Sequence, residues 1–221
     1  MNVITFDGDG TLWDISKVIR KALEKIAEII HSRYPSVEVD IDEFYKAWEE
    51  VVRTGGDLSL YDMRRLSIHE VLKRHGIFTE DFGDDLFRIY LEERHSEIEI
   101  FPDTIPVLTE LKKHFKIGLI TNGNTQFQKY PIASYFDFTV RASEVGVSKP
   151  DPGIFEIAVK LAGVRKSDVL HIGDSLEEDY FGALNAGLNA VWLNRENSPV
   201  PPDVRSISSL SELLDLLNEI R

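Results

Sequence analysis

The chain has 221 residues, of which 43% are hydrophobic, and this size suits one sizeable domain with a smaller inserted one. Its formal net charge of −13 repels nucleic acid and anionic membrane surfaces, so we expect neither as a partner. The absence of cysteine excludes disulfides and thiolate catalysis. We expect no membrane span and no secretory leader, because no apolar run is long enough and Met1 is followed directly by Asn-Val-Ile-Thr-Phe, and we therefore expect a cytoplasmic location.

Short apolar, β-rich segments alternate with helical patterns along most of the chain, which is typical of a parallel α/β sheet. The predicted strands are Val3–Phe6, Ile117–Ile120, Phe136–Val140, Val169–Ile172 and Ala190–Leu193. Asp151 and Pro152 predict the start of a helix, Ser209–Glu212 predicts a capping box, and Gly163 and Gly187 predict helix ends. We therefore expect an α/β core with a Rossmann-like parallel sheet.

The segment 14–98 shows helical periodicity and no clear strand. Apolar residues recur at helical spacing along its first part, at Val18, Ile19, Ala22, Leu23, Ile26 and Ile30. We predict an all-helical cap domain here, inserted after the first strand into a core made of residues 1–13 and 99–221. The hinges are expected near Leu12–Ile15 and Ile98–Pro102.

The residues that follow the first predicted strand are Asp7-Gly8-Asp9-Gly10-Thr11. Two carboxylates at this spacing allow one to attack a substrate while the other handles protons, and the glycines let the backbone approach a ligand closely. A turn rich in Asp and Gly is the alternative. An EF-hand loop does not fit, because Leu12 stands where its sharp-turn glycine belongs and Val18 where its bidentate glutamate belongs.

Two further polar clusters lie at predicted strand ends. Thr121-Asn122-Gly123 offers a hydroxyl and backbone N–H groups that can hold phosphoryl oxygens, although a plain turn is the alternative. Gly173–Asp179 begins with Asp174, a hard oxygen ligand suited to Mg²⁺. Ser175 and Glu178 in this segment also fit a capping box. A serine-esterase interpretation of Ser175 is disfavoured, because no histidine follows it in the sequence.

A fourth cluster, Lys149-Pro150-Asp151-Pro152, holds a lysine in a rigid segment before a helix. Such a lysine is a positioned cation, although an ordinary surface lysine is the alternative. Ligands of open α/β sheets bind beyond the carboxyl ends of the strands. All four clusters could therefore converge on one site.

The order and spacing of these clusters resemble the haloacid dehalogenase superfamily along most of the chain. The resemblance covers Asp7-x-Asp9-x-Thr11, Thr121, Lys149 and the segment from Asp174 to Asp179. The helical insertion after the first strand looks like the helical cap of type C1 in that superfamily. Glu178 stands where many members have a small amide, and we expect that difference to be harmless.

The resemblance implies a division of catalytic labour. Asp7 would attack phosphorus and become an aspartyl-phosphate, and Asp9 would protonate the leaving group and then deprotonate the hydrolytic water. Thr121 would hold a phosphoryl oxygen, and Lys149 would neutralise charge on Asp7 and on the transferring group. The phosphate-binding set would comprise Thr11, Thr121, Asn122, Gly123 and Lys149.

A metal site is implied in the same way. Mg²⁺ would be held by the carboxylates of Asp7 and Asp174 and by the backbone carbonyl of Asp9. Asp179 would orient Lys149 or a metal-bound water without binding the metal itself. An acidic cluster of this kind needs a cation to relieve repulsion between its carboxylates.

We therefore predict a Mg²⁺-dependent phosphatase for a small phosphorylated metabolite, as a monomer or a homodimer. A haloacid dehalogenase is disfavoured, because a halide leaves without the proton that Asp9 could supply. A sugar phosphomutase is disfavoured, because such members tend to carry Glu-Asp where this chain has Gly173-Asp174. A non-catalytic phosphate-binding module remains as a further alternative.

Substrate choice is expected to depend on the cap. Thr54-Gly55-Gly56-Asp57 and Arg64-Arg65 are candidates for cap elements that face the site. A surface loop and a solvated helix face are the alternative, and that alternative is the interpretation we favour.

Overall fold

The structure is a computed structural model that describes residues 1–56 and 58–220. Its strands are β1 (Val3–Phe6), β2 (Trp13–Asp14), β3 (Glu99–Ile100), β4 (Lys116–Thr121), β5 (Phe138–Arg141), β6 (Val169–Gly173), β7 (Asn189–Leu193) and β8 (Ser206–Ile207). Its α-helices are α1 (Ile15–Arg33), α2 (Ile41–Thr54), α3 (Leu60–Arg74), α4 (Glu80–Arg94), α5 (Thr104–Leu111), α6 (Ala142–Val145), α7 (Pro152–Ala162), α8 (Gly182–Asn185) and α9 (Ser211–Ile220). A π-helical segment at Leu176–Phe181 precedes α8.

A six-stranded parallel sheet in the order β5-β4-β1-β6-β7-β8 confirms the predicted fold class. β1 lies inside this sheet, with β4 on one side and β6 on the other. Every residue of β1 and β6 is buried, as expected for strands that are covered on both faces. β8 was not predicted, because a strand of two residues carries no recognisable periodicity.

Local signals explain where several elements begin and end. Asp151 caps α7 by accepting the N–H of Gly153 at 2.7 Å, and Gly163 ends that helix in the left-handed region with a φ of 72°. Both features confirm the sequence prediction. The capping box predicted at Ser209–Glu212 does not form as predicted, because the carboxylate of Glu212 accepts the backbone N–H of Ser208 at 3.2 Å.

The strand predicted to begin at Phe136 begins two residues later, at Phe138. The side chain of Phe136 packs edge to face against Phe127, with ring centroids 5.6 Å apart. The carboxylate of Asp137 accepts the backbone N–H of Ile117 at 2.8 Å. These two residues therefore connect β4 and β5 without joining the ladder of the sheet.

The chain divides into two compact units, which we call the sheet unit (Met1–Ile15 and Ile98–Arg221) and the helical unit (Ser16–Glu97). The helical unit has its own apolar core, and the predicted stripe on α1 contributes to it. The buried residues of that core are Ala22, Leu23, Ile26, Ile30, Phe44, Ala47, Ile68, Val71, Leu72, Phe82, Leu86, Phe87 and Tyr90. The limits of the two units describe only how the chain packs. The cap domain predicted at residues 14–98 therefore stays a prediction.

The segments at which the chain leaves and re-enters the sheet unit are paired with each other. β2 and β3 form an antiparallel pair with Trp13 opposite Ile100 and Asp14 opposite Glu99. The carbonyl of Leu12 accepts hydrogen bonds from Phe101 N at 3.2 Å and from Thr104 Oγ1 at 2.9 Å. The exit from β1 is therefore fixed by the segment that leads into α5.

None of the described helices is both long and apolar enough to cross a membrane.

Candidate active site

The first three polar clusters lie at the carboxyl ends of β1, β4 and β6. Asp7 follows β1, Thr121 is the last residue of β4, and Asp174 follows β6. The N–H of Asp7 donates to the carbonyl of Ile172 at 2.8 Å, which extends the register of β1 beside β6. Because neighbouring parallel strands end at the same edge, these side chains meet there.

Lys149 lies between two carboxylates at this edge. Its Nζ is 2.5 Å from Oδ1 of Asp7 and 2.5 Å from Oδ1 of Asp179, and all three side chains are buried. Burial opposes the charged form of the lysine, but Asp7 and Asp179 outweigh it and raise the pKa of Lys149. The cation is therefore held charged at a fixed position against Asp7.

The two carboxylates respond differently to the same lysine. Burial is the largest effect on Asp7 and raises its pKa, opposed by Lys149 and reinforced by Asp179 and Asp174. Burial also opposes ionisation of Asp179, but Lys149 and His171 lower the pKa of that carboxyl. Asp179 is therefore the stable anion of the group, and Asp7 needs further positive charge to ionise fully.

Asp179 is held by a network that the sequence analysis missed. Its Oδ1 lies 3.1 Å from Nε2 of His171, and its Oδ2 accepts the N–H of Ser175 at 3.0 Å. Nδ1 of the same histidine lies 3.0 Å from Oγ1 of Thr5. Thr5 and His171 are register partners on β1 and β6 and are both buried. A polar residue within each of two apolar strand segments was the signal for this pair.

Asn122 connects the segment after β4 to Lys149. Its side chain accepts the N–H of Lys149 at 2.8 Å and donates to the carbonyl of Lys149 at 2.9 Å. The same amide donates to Oε2 of Glu178 at 2.8 Å. Asn122 therefore fixes the backbone that carries the ammonium group.

Asp9 is held separately from Asp7. Its Oδ1 accepts hydrogen bonds from Nε1 of Trp13 at 2.5 Å and from Oγ1 of Thr125 at 2.7 Å. A Cβ atom on Gly123 would lie 2.0 Å from Oδ2 of Asp9, so only glycine leaves room for this carboxylate. Trp13 and Thr125 were missed by the sequence analysis, because loop contacts of this kind leave no periodic pattern.

The hydroxyls of the site face different partners. Thr121 is buried and its Oγ1 accepts the N–H of Gly123 at 3.0 Å, which folds the strand end back on itself. Thr11 is buried and donates to Oδ1 of Asp174 at 3.2 Å. Gly10 has a φ of 86°, and a Cβ there would lie 2.3 Å from Oδ2 of Asp174. The loop after β1 therefore packs directly against Asp174.

Three carboxylates meet in a way that fits a divalent cation. One oxygen from each of Asp7, Asp174 and Asp179 lies within 4.8 Å of the others. Although Asp174 is exposed, the surrounding protein and the charge of Asp179 raise its pKa to about 6. Hard oxygen ligands are those that Mg²⁺ prefers, and a cation here would relieve the repulsion. Both oxygens of Asp179 already accept hydrogen bonds, so Asp7 and Asp174 fit a metal better.

The loop after β1 is also held from the far end of the chain. Arg195 donates to the carbonyl of Thr11 at 3.0 Å and forms two hydrogen bonds of 3.0 Å with Asp103. Its guanidinium stacks on Phe101, with Cζ 4.0 Å from the ring centre. Oδ2 of Asp103 also accepts the N–H of Leu210 at 2.8 Å. Nothing in the sequence analysis singled out this ion pair.

The proposed cap candidates belong to the helical unit. Thr54 ends α2, and the following Gly55 and Gly56 form the turn after it. Asp57, the last residue of that candidate, lies outside the described residues. Arg64 and Arg65 lie on α3.

Comparison with known proteins identifies the family. Residues 1–187 match a model described as haloacid dehalogenase-like hydrolase. The chain belongs to this family. The resemblance found in the sequence is therefore confirmed, and the protein is a hydrolase of the haloacid dehalogenase type.

Individual members of the family match over nearly the whole chain. N-acylneuraminate-9-phosphatase from Homo sapiens is 30% identical over 237 aligned positions, which cover 100% of this chain and 95% of that protein. The crystal structure of a 2-haloacid dehalogenase from Pseudomonas syringae pv. Tomato superposes with a TM-score of 0.78 at 29% identity, and all of both chains is covered. A HAD-hydrolase from Bacillus subtilis, solved bound to magnesium, has a TM-score of 0.82 at 21% identity over 98% of each chain, which shows the shared fold.

Proposed function

We propose that this hydrolase is a magnesium-dependent phosphatase that cleaves small phosphate monoesters through an aspartyl-phosphate on Asp7. The proposal depends on one observation: the two carboxylates that follow β1 are bound by different partners. Asp7 faces the ammonium of Lys149, whereas Asp9 is held by the side chains of Trp13 and Thr125. A nucleophile beside a fixed cation and a separate acid–base group are what a two-step transfer requires.

In the first step, a carboxylate oxygen of Asp7 attacks phosphorus and the bond from phosphorus to the ester oxygen breaks. Asp9 gives its proton to the departing oxygen. Lys149 neutralises charge on the attacking group, from which it lies 2.5 Å away. The Thr121 hydroxyl and the backbone that follows it, at Asn122 and Gly123, orient the phosphoryl oxygens.

In the second step, Asp9 takes a proton from water, and the resulting hydroxide attacks phosphorus. The bond between phosphorus and Asp7 breaks, so inorganic phosphate leaves and both aspartates return to their starting states. The side chain of Asn122 acts indirectly. It bonds to both the backbone N–H and the backbone carbonyl of Lys149 and so fixes the position of that residue.

Asp7, Asp174 and the backbone carbonyl of Asp9 are the groups that we assign to Mg²⁺. When bound, the ion supplies positive charge that stabilises the transferring phosphoryl group. The pKa values of Asp7 and Asp174 support the assignment, because both are raised by desolvation from the surrounding protein and by neighbouring carboxylates. Thr11 orients Asp174 through its hydroxyl, and Asp179 orients Lys149.

We further propose a small phosphorylated metabolite as the substrate and a cytoplasmic location. The human relative is a phosphatase and aligns with the whole of this chain, which supports phosphoryl chemistry over dehalogenation. The placement of Asp9 supports the same choice, because a departing halide needs no proton donor. A monomer or a homodimer would be consistent with this role.

The proposal is tested by phosphate release from 4-nitrophenyl phosphate with and without Mg²⁺, beside halide release from 2-chloropropionate. We expect Mg²⁺-dependent phosphate release and no halide release. Halide release without phosphatase activity would favour a dehalogenase. Tight phosphate binding without turnover of either compound would favour a binding module.

The Asp174→Ala variant should weaken activation by Mg²⁺ by about tenfold or more, because loss of even an outer partner of a metal site costs that much. The measurement is the Mg²⁺ concentration that gives half-maximal activity. Glu177→Ala is the matched control, because it removes an exposed carboxylate from the same segment. An unchanged Mg²⁺ requirement in Asp174→Ala would count decisively against this ligand.

The Thr125→Val variant should impair the acid–base function of Asp9 without a change of side-chain shape. It removes a hydroxyl that donates to Asp9 at 2.7 Å, and a hydrogen bond to a charged group contributes about 1.5–3 kcal/mol. We expect kcat/KM for an alkyl phosphate to fall roughly tenfold or more, with a smaller change for 4-nitrophenyl phosphate. Thr109→Val is the control, because it makes the same substitution on α5, where the lost hydroxyl donates to the carbonyl of Ile105 instead of to Asp9. Equal losses on both substrates would contradict a role through Asp9.

A further inference from the structure

Two adjacent arginines on α3 have opposite surroundings. Arg65 forms two hydrogen bonds to the carboxylate of Asp84, at 2.7 and 2.8 Å. Arg64 is only 8% exposed, so the interpretation of this pair as a solvated helix face is wrong for Arg64. Within the part of the chain that the structure describes, its buried Nη1 has no hydrogen-bond partner. The helical unit therefore contains a buried guanidinium group, that of Arg64, with an N–H donor that has no hydrogen-bond partner among the described residues. The guanidinium of Arg65, by contrast, is paired with a carboxylate.

The groups around Arg64 are aromatic or positively charged. Its Cζ lies 3.9 Å from the ring centre of Trp48 on α2 and 5.6 Å from that of Tyr90 on α4. The titratable groups that act on it are Tyr90, Arg94 and Tyr45, and no carboxylate of the described chain is among them. Burial lowers the pKa of Arg64, and this effect is opposed by Tyr90 and reinforced by the charge of Arg94. Among the described residues, therefore, no carboxylate acts as a counter-charge for Arg64.

This arrangement is unfavourable for folding unless a ligand completes it. A buried charge without a partner is destabilising, and stacking on an aromatic ring offsets that cost only in part. The sequence contains 38 acidic residues against 25 Lys and Arg, so carboxylate partners are plentiful elsewhere. A guanidinium presents a planar fork of donors that matches the oxygens of a carboxylate or a phosphate. Within the described residues, the guanidinium of Arg64 therefore has no anion as a partner.

We propose that Arg64, with Trp48 and Tyr90, forms an anion-binding site of the helical unit that takes the carboxylate or phosphate group of a small organic anion. The anion accepts hydrogen bonds from Arg64 and neutralises its guanidinium group. The rings of Trp48 and Tyr90 hold the guanidinium of Arg64 in place. No residue of the sheet unit takes part, so this inference stands independently of the proposed hydrolysis.

The test uses the full-length protein labelled with 5-fluorotryptophan and observed by ¹⁹F NMR. The chain has three tryptophans, and the Trp48→Phe variant identifies the resonance of Trp48. The protein is titrated with succinate and, separately, with inorganic phosphate, at an ionic strength kept constant with sodium chloride. We expect a saturable shift of the Trp48 resonance with at least one of them, because the guanidinium that binds the anion lies on this ring.

The two probes separate the two kinds of ligand. A shift with succinate alone assigns the site to carboxylates, and a shift with phosphate alone assigns it to phosphates. Trp13 and Trp192 belong to the sheet unit, and Trp13 contacts Asp9, so their resonances report on phosphate bound near Asp7. Failure of the proposed function would leave the Trp48 response unaffected.

Arg64→Met is the decisive variant, because it keeps an unbranched side chain in the buried position and removes the charge. We expect it to abolish the Trp48 shift and to leave the melting temperature in chloride unchanged or raised, since an unpaired buried charge is replaced by an apolar group. Arg88→Met removes a charge from an exposed position on α4 and should keep the parental shift. If Arg64→Met does not fold, Arg64→Lys is used in its place. It keeps the charge but loses the planar fork of donors, so it should weaken binding.

Two results would overturn the proposal. One is the absence of a saturable Trp48 shift in the parent protein with either anion. The other is a shift in Arg64→Met, or in Arg64→Lys where that variant is used, with the affinity of the parent. A fall in melting temperature of Arg64→Met with an unchanged titration would assign Arg64 to structure alone.

Discussion

The Asp7→Asn variant is expected to form no covalent phosphoenzyme with either an aryl or an alkyl phosphate. The substitution preserves the shape of the side chain but removes the attacking oxyanion, which lies against the ammonium of Lys149. Lys149 keeps its contact with Asp179, so the fold around the site should survive. Loss of a nucleophile can cost about 10⁶-fold in kcat, and we expect a loss of at least about 10⁴-fold here.

The measurement is mass spectrometry of the protein after rapid quenching, beside circular dichroism to verify the fold. Asp85→Asn is the matched control, because it makes the same change at an exposed position on α4. It should retain parental activity and parental phosphoenzyme. If Asp7→Asn still yields a phosphorylated peptide, the nucleophile is another residue and the proposed mechanism falls.

The Asp9→Asn variant should divide substrates by their leaving groups. It retains the nucleophile and the backbone carbonyl that we assign to the metal, and removes only the proton donor and acceptor. A nitrophenolate leaves without a proton, so the first step should continue with 4-nitrophenyl phosphate. An alkoxide leaves poorly when unprotonated, so alkyl phosphates should react more slowly in that step by about 10²–10⁴-fold.

The second step needs Asp9 as a base for either kind of substrate. The aspartyl-phosphate should therefore accumulate after a stoichiometric burst of nitrophenolate, which rapid-quench measurements detect directly. Asp14→Asn is the control, because Asp14 lies on β2 close to Asp9 in the sequence and the substitution makes the same change of charge there. Parental turnover of alkyl phosphates by Asp9→Asn would show that another group is the acid.

The sequence was sufficient to predict which residues meet at the edge of the sheet. Asp7, Thr121 and Asp174 each follow or end an apolar strand segment, and parallel strands bring their carboxyl ends together. Lys149 and Asp179 also belonged to the predicted clusters, and the structure places their side chains in direct contact. The meeting of these residues could be predicted because it depends on where the strands end, which leaves a clear pattern in the chain, whereas their proposed roles stay predictions.

Other features depend on contacts that leave no such pattern. The hold of Trp13 and Thr125 on Asp9 joins two loops, and the contact of His171 with Asp179 depends on the path of a short π-helical segment. The burial of Arg64 depends on how α2 and α4 pack against α3, which the polarity of α3 alone does not reveal. Sequence periodicity reports the faces of single elements and not the partners of each face.

The hold of Arg195 on the loop after β1 has a consequence for synthesis of the protein. The guanidinium donates to the carbonyl of Thr11, which lies 184 positions earlier in the chain. Translation proceeds from the amino terminus, so the aspartates of that loop leave the ribosome long before Arg195 does. The last groups needed to set the shape of the loop are therefore among the last to be made. A nascent chain that ends before β7 carries every proposed catalytic residue. It still lacks the contact from Arg195 that secures the loop with Asp7 and Asp9.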